Sequence, residues 1–383
     1  MSDITRKLAS IRKIDNLKPI NGADKIELAV IGGWQVVVKK GDFSPGDPCV
    51  YFEIDSFLPI RPEFEFLRSS SFKEHPELGQ GFRLKTIKLK GEFSQGLAIP
   101  TDILNNFGEF ISEHNTWSND SGVFPNEIDS DLTNYIGVKK WETPIPAQLA
   151  GQIRGLFPSF IPKTDQERVQ NISFDKKKKI TWTIDGKEFS KEYEDSTKPY
   201  PQDFTFEVSL KLDGSSMTVY KKGSYVGVCS RNLDLTETDS NAFWKCARES
   251  GLIKALEDDW FDNDFAIQGE LMGPGVQGNR ENLEKLRFYV FSVYNIAAGQ
   301  YFNPETAARL IKEIFVDEFK VDIEYVPVYH PKYDGKKLNL ENCLKMASGP
   351  SLTNKIREGV VFKANEGNYS FKAINNEFLL NEK

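Results

Sequence analysis

Alternation of apolar and polar residues changes character twice along the chain and divides it into three stretches. Residues 1 to 104 carry short β-rich runs at Lys25 to Ile31, Gln35 to Lys39, Cys49 to Ile54, Arg83 to Leu89 and Gly96 to Ile99. Turn signals such as Asn21-Gly22, Gly32-Gly33 and Ser44-Pro45-Gly46-Asp47 separate them, which predicts a small β-barrel. From 105 to 171 the pattern lapses. Residues 115–131 are acidic and rich in Ser, Asn and Asp, predicting a loop or insert. The following stretch, IPAQLAGQIRGLFPSFIPKTDQERVQN, is aromatic and punctuated by Pro158 and Pro162, and its Thr164-Asp165-x-x-Arg168 predicts a helix start.

From 172 to 383 strands and helices alternate, which predicts a mixed α+β domain. Hairpins are expected from Thr181 to Phe189 around Asp185-Gly186, and at Lys221-Lys222-Gly223. One helix is predicted over Ser240 to Lys254 with Asp239 or Ser240 as its cap. Another opens at Asn303-Pro304-Glu305 with Ala307, Ile311, Ile314 and Phe315 as its core stripe. Further strands are expected at Phe265 to Met272, Arg287 to Ile296, Ile323 to Tyr329, Gly359 to Ala364 and Tyr369 to Ile374.

At 383 residues the chain exceeds the roughly 150 of one domain, so two domains are expected, each with its own core. Hydrophobic content of 39% with 12% aromatics argues for a folded protein. No apolar run reaches about 18 residues and no charged-then-apolar leader follows Met1. The expectation is a cytoplasmic protein, cellular or in a virus-infected host cell. Cys49, Cys229, Cys246 and Cys343 form no CxxC pair, and His75, His114 and His330 are scattered, which argues against zinc or a disulfide framework.

A net charge of −7 argues against coating nucleic acid by bulk electrostatics, yet leaves room for a local basic groove. Lys85, Lys88 and Lys90 alternate along one predicted strand, and residues 176–179 are four lysines in a row. Each fits either such a groove or a solvated edge that discourages aggregation. Trp34, Phe43 and Phe93 are candidate stacking platforms, with core packing as the competing role.

The chemistry centres on FTFEVSLKLDG, residues 204–214, an alternating strand that delivers Lys211, Asp213 and Gly214 at its end. A lysine nucleophile needs a site that lowers its pKa from about 10.4. After it come Ser230-Arg231-Asn232, FAIQGEL with Glu270, FYVFSVYNI with Phe291, EGVVFK with Glu358 and Lys363, and SFKAIN with Lys372. This ordered set resembles the covalent nucleotidyltransferase superfamily of ATP-dependent ligases and mRNA capping enzymes. More narrowly, it is similar to RNA ligases of the Deinococcus and Naegleria type. The segment KPINGADKIELAVIGGWQVVVKKGDFSPGDPCVYFEIDSFLPI likewise resembles OB-type modules beside RNA-processing enzymes. The resemblance covers nearly the whole chain apart from residues 115–131. It implies an α+β protein with an OB-type β-barrel over 1–104, an insert and linker over 105–171, and a mixed antiparallel-sheet, ATP-grasp-like nucleotidyltransferase domain over 172–383.

The resemblance implies that Lys211 attacks the α-phosphate of ATP and carries AMP, with Asp213 and Gly214 in the nucleotide site. Lys363 and Lys372 on adjacent predicted strands neutralise charge at the reacting phosphorus, and Mg²⁺ or Mn²⁺ held through Glu358 does the same. Asp213 and Glu270 are the further metal candidates, and Glu270 is also placed to bind a ribose hydroxyl. Phe291 is expected to stack on adenine, with Tyr289 on the same strand face as the reserve. Arg231 and Asn232 resemble the pair that grips the adenylate or 5′ phosphate. Lys163 and Arg168 fit either a substrate phosphate contact or a hinge ion pair.

Several superfamily relatives place Glu directly before the lysine, whereas this chain has Leu210, with Glu207 and Ser209 in alternation with Lys211. Eleven residues follow Lys372, so the expected helper for the first step is the N-terminal barrel rather than a C-terminal OB domain. The implied partner is RNA with 3′-OH and 5′-phosphate ends, preferentially at a duplex nick, with no obligate protein partner. A capping-type guanylyltransferase, a DNA ligase, and an RNA-binding protein with an inactive transferase domain are the competing classes.

Overall fold

The computed structural model describes residues 6–107, 128–142, 151–174, 200–258 and 264–381, with the backbone alone for 177–184 and 187–194. They fall into two compact units, one of Thr5–Pro144, Gln170–Tyr200 and Leu379–Lys383, the other of Ile145–Val169 and Pro201–Phe378. The stretch read as linker is thus shared between them. Among the described residues, 151–169 pack with the second unit and 170–174 with the first.

In the first unit, Ala9–Lys13 (β1), Asn16–Pro19 (β2), Ile26–Ile31 (β3), Trp34–Lys39 (β4), Pro48–Phe52 (β5) and Ser56–Leu58 (β6) come first. Phe72–His75 (β7), Gly79–Arg83 (β8), Thr86–Leu89 (β9), Glu92–Gln95 (β10), Leu97–Pro100 (β11) and Lys139–Lys140 (β12) follow. The ladders run β1-β5-β11, β2-β3-β4, β9-β10 and β12-β6-β8-β7, and do not join into one closed cylinder among the described residues. The run expected from Arg83 to Leu89 is broken at Leu84–Lys85, where β8, paired with β6 and β7, gives way to β9, which turns back on β10 through Lys90 and Gly91, both at positive φ.

Ile11, Val50, Phe52, Phe64, Phe82, Leu104 and Phe107 are among the core residues of this unit. Residues 170–171 dock on the β3–β4 turn. The Gly33 amide donates to the Gln170 carbonyl at 3.2 Å, and Trp34 Nε1 donates to Asn171 Oδ1 at 2.8 Å. A Cβ on Gly33 would lie 2.6 Å from Gln170 Cα, so this close approach requires glycine.

Between the docked segment and the catalytic-looking region, Lys177–Ile184 (here β15) and Lys187–Glu194 (β16) pair antiparallel, from Lys177 opposite Glu194 to Ile184 opposite Lys187. The expected turn at Asp185-Gly186 lies outside the described residues, as do Lys176 and residues 115–127 of the acidic stretch. Two shorter strands, Ile153–Leu156 (β13) and Glu167–Arg168 (β14), belong to the second unit.

Among the described residues the second unit holds two sheets. Thr205–Lys211 (β17), Ser215–Lys222 (β18), Tyr225–Cys229 (β19), Leu233–Leu235 (β20), Phe265–Met272 (β21), Arg287–Asn295 (β22) and Gln300–Tyr301 (β23) are followed by Glu324–Tyr325 (β24), Val328–Asp334 (β25), Gly359–Ala364 (β26) and Ser370–Ile374 (β27). The larger sheet runs β13-β20-β19-β18-β21-β22-β23, with β24 parallel to β22, and the smaller runs β14-β27-β26-β17-β25.

Helices Ala242–Glu249, Leu252–Leu256 and Pro304–Arg309 contribute to the core of the larger sheet, with Ala307, Ile311 and Phe315 buried as the stripe predicts and Ile314 packed at its margin. The helix expected from Ser240 to Lys254 is two helices, because Gly251 at φ 83° interrupts it. Its cap is Asn241, whose side chain accepts from the Phe243 and Trp244 amides, rather than Asp239 or Ser240. Asn303 caps the later helix by accepting from the Thr306 amide, with Pro304 in the first turn as expected.

Candidate active site

Lys211 ends β17 directly opposite Gly359 at the start of β26. A Cβ on Gly359 would collide with the Ala373 carbonyl, so glycine lets β26 and β27 close beside the lysine. Glu207 stands opposite Lys363, Ser209 opposite Val361, and Val361 opposite Lys372. Strand alternation therefore puts Lys211, Lys363 and Lys372 on one face of the smaller sheet. Arg168 aligns with Lys372 in the parallel β14–β27 pair and is buried. The helix start expected at Thr164 to Arg168 is instead this short strand followed by a 3₁₀ turn over Val169–Asn171.

Lys211 Nζ lies 2.8 Å from the Glu358 carboxylate. Glu270, on β21, accepts from the Gly214 amide at 3.1 Å. Gly214 is needed there, because a Cβ would strike the Leu271 carbonyl and approach Glu270 itself. Asp213 pairs with Arg280 at 3.1 Å. Burial pushes the Lys211 ammonium down, but Glu358, Glu270 and Asp213 together outweigh it and the net direction is up. The lysine was expected to be depressed; in the free protein its carboxylate neighbours hold it protonated. Burial, with Glu358 and Asp213 adding to it against Lys211, pushes Glu270 up to about 7. Asp213 is also raised, by burial and then Glu358, against Arg280 and Lys211.

The three-carboxylate metal set is not gathered into a cage. Among the described residues no group of three or more His, Cys, Asp or Glu side chains converges to hold an ion, and Asp213 is committed to Arg280. Glu358 and Glu270 nevertheless fit a hard divalent cation that keeps most of its water. They are oxygen donors, and burial together with the charges of Glu358 and Asp213 drives Glu270 toward its neutral form despite Lys211, a penalty that a bound cation would relieve.

Phe291 is half-buried beside a cluster of Leu210, Leu212, Met272, Tyr289 and Val326. Between Val290 opposite Gly269 and Ser292 opposite Gln268 it has no partner on β21, forming a bulge. Phe291 and Tyr289 face the same cluster, as their spacing predicts, while Phe288, Val290 and Val293 pack in the core on the other face, so the bulge shifts the alternation only beyond Phe291. Tyr289 is 6% exposed and belongs to the core, whereas the Phe291 ring is only half-buried. Lys363 is buried, donates to the Phe291 carbonyl and lies 5.3 Å from that ring's centre. Burial pushes its ammonium down to about 8 against the opposing charge of Glu207.

Arg231 is exposed and bonds Asp165 at 2.6 Å, while the Asn232 carbonyl accepts from the Phe157 amide at 2.9 Å. Next to Lys163, Thr164 Oγ1 lies 3.1 Å from Ser216 Oγ, and Ser216 faces Glu270 across β18 and β21. Residues 163–165 thereby come beside the strands that carry Ser216 and Glu270. Arg280 was missed from the sequence. It lies in a loop where Gln277, Asn279 and Asn282 all have positive φ, and no spacing from Asp213 signals the pairing. Of the three aromatics considered for stacking in the first unit, Trp34 and Phe43 are core, at 2% and 7% exposure. Phe93 is half-buried, with Lys88 Nζ 5.3 Å from its ring centre.

An OB-fold domain family model matches residues 8–101 and an RNA ligase family model matches residues 204–374. Solved structures of Naegleria gruberi RNA ligase are similar over almost the full length. A mutant with AMP and Mn and another with ATP and Mn are each 37% identical, with 98% of this chain and 99% of that chain covered and a TM-score of 0.80. The Naegleria gruberi enzyme with PPi is 38% identical at the same coverage and TM-score. No curated protein sequence matches. The chain belongs to the RNA ligase family, with an N-terminal OB-fold domain followed by a sheet-rich ligase domain. No described helix is long and apolar enough to cross a membrane.

Proposed function

We propose that this protein is an ATP-dependent RNA ligase that seals 3′-OH/5′-phosphate nicks in duplexes whose 3′-OH strand ends in RNA, as an RNA-repair enzyme of the cytoplasm. The observation that carries the reading is the half-buried Lys211, in contact with Glu358 and sharing a sheet face with Lys363 and Lys372. Its support in the comparisons is the likeness to a ligase captured with ATP, AMP, PPi and Mn.

Lys211 attacks the α-phosphorus of ATP, forming a P–N bond as the bond to pyrophosphate breaks. The ammonium must first lose a proton, and its carboxylate neighbours oppose that. When bound through Glu358, with Glu270 near, Mg²⁺ or Mn²⁺ supplies positive charge that offsets those carboxylates and the triphosphate. Lys363 and Lys372 stabilise charge at the phosphorus during transfer. Phe291 carries the adenine ring, and Glu270 with the Gly214 amide orients the ribose and the lysine turn. Arg231, Asn232, Lys163 and Arg168 bind the phosphates of the adenylate or of the incoming 5′ end. AMP then passes to that 5′-phosphate, and the 3′-OH attacks it as AMP leaves.

RNA is told from DNA by the 2′-OH near the break, which donates and accepts hydrogen bonds and favours A-form sugar geometry. Nicked duplexes with ribose or deoxyribose in the last two positions of the 3′-OH strand test the assignment. Sealing confined to ribose ends is expected, and equal sealing of an all-DNA nick would overturn it.

A further inference from the structure

Lys363 sits in a buried polar group whose other members have no role so far. Glu207 is directly opposite it across β17 and β26 and is 3% exposed. Tyr325 Oη lies 3.2 Å from Glu207 Oε1 and 3.3 Å from the Phe291 carbonyl, the acceptor that Lys363 also uses. That carbonyl belongs to the bulge of β22, where the regular ladder is interrupted.

A tyrosine hydroxyl donates one hydrogen at a time. While Lys363 occupies the Phe291 carbonyl, the Tyr325 hydroxyl is left for Glu207. Once Lys363 turns to an anionic phosphate, the carbonyl needs another donor, and Tyr325 is within reach without moving its ring. The Lys363 ammonium also lies 5.9 Å from the Tyr325 ring centre, so both sides of this exchange are already in place.

We propose that Tyr325 and Glu207 are positioning residues for Lys363. They hold the lysine on the Phe291 carbonyl in the free protein, and Tyr325 takes that carbonyl over when the lysine swings to the nucleotide phosphate. The bulge that presents the Phe291 ring is thereby kept in one shape through the transfer. This rests on the ligase reading above, which gives Lys363 the phosphate and Phe291 the base. The position is a favourable one to leave for an anion, since burial weighs against the ammonium there.

Single-turnover labelling of Lys211 with ATP and Mn²⁺, alongside thermal melts, tests the proposal in the wild type, Tyr325→Phe, Glu207→Gln, Lys363→Met and the Tyr325→Phe/Lys363→Met double variant. Tyr325→Phe is expected to slow labelling at saturating ATP by about tenfold, with half-saturating ATP within about twofold and a melt that stays cooperative, lowered only by the loss of the buried hydrogen bond to Glu207. In the Lys363→Met background it should cost nothing further, because the tyrosine acts through the lysine. Labelling by Tyr325→Phe at the wild-type rate, or a loss that multiplies in full with that of Lys363→Met, would overturn the proposal. Should Tyr325→Phe fail to fold, Glu207→Gln is judged by the same two criteria. Wild-type protein that takes up no label counts against the ligase reading itself, which separates the two failures.

Discussion

Burial pushes both Lys211 and Lys363 toward the neutral amine. Around Lys211 three carboxylates reverse that push, whereas Glu207 alone beside Lys363 does not. A consequence for stability follows from Lys363. Its folded pKa of about 8 lies below the ordinary lysine value of 10.5, so between those values the unfolded chain holds a proton that the folded chain has lost. Stability from this group therefore rises with pH through that window and is lowest below about 8. Lys363→Met should stabilise the protein at pH 7 by up to about 3 kcal/mol, and the gain should shrink steadily toward pH 10. Urea unfolding at both pH values measures it, and an equal gain at both would show that desolvation of the ammonium is not the cause. At this scale the sequence made the lysines and Glu358 visible, because each sits in a recognisable run. It could not show the direction of the Lys211 shift, which depends on three carboxylates meeting from β17, β21 and the approach to β26.

The strand pattern was most legible where alternation was strict. β21, β26 and β27 lie within a residue of their expected bounds, and β17 starts one residue late but stops at Lys211, three short of the expected Gly214. Local spacing failed where a bulge or a long-range partner decides the conformation. The bulge at Phe291 shifts the alternation of β22 beyond it, and Glu167–Arg168 became a strand because β27 offers a parallel edge. Gly359 shows what these ladders demand. Gly359→Ala places a methyl group against the Ala373 carbonyl opposite Lys211, and should cost about 3 kcal/mol or more and remove nucleotide transfer. Gly155→Ala, where nothing lies within 4 Å of the added carbon, should be near neutral. Matching melts for the two variants would contradict the packing argument.

At the scale of the whole molecule, the sequence announced a β-rich first part and an α+β second part, but not how the chain passes between them. Residues 170–171 return to Gly33 and Trp34 through contacts more than 130 positions apart in sequence, which no local composition reveals. The net charge of −7 likewise hid the few places where basic and aromatic groups meet, such as Lys88 over Phe93. The account of the molecule turns on one covalent bond. Incubation with α-labelled ATP or GTP and Mn²⁺, followed by denaturing electrophoresis and mapping of the labelled peptide, tests it most directly. Label from ATP is predicted on Lys211, absent from Lys211→Ala and from GTP reactions. Label from GTP alone, or label from ATP that survives Lys211→Ala, would contradict it.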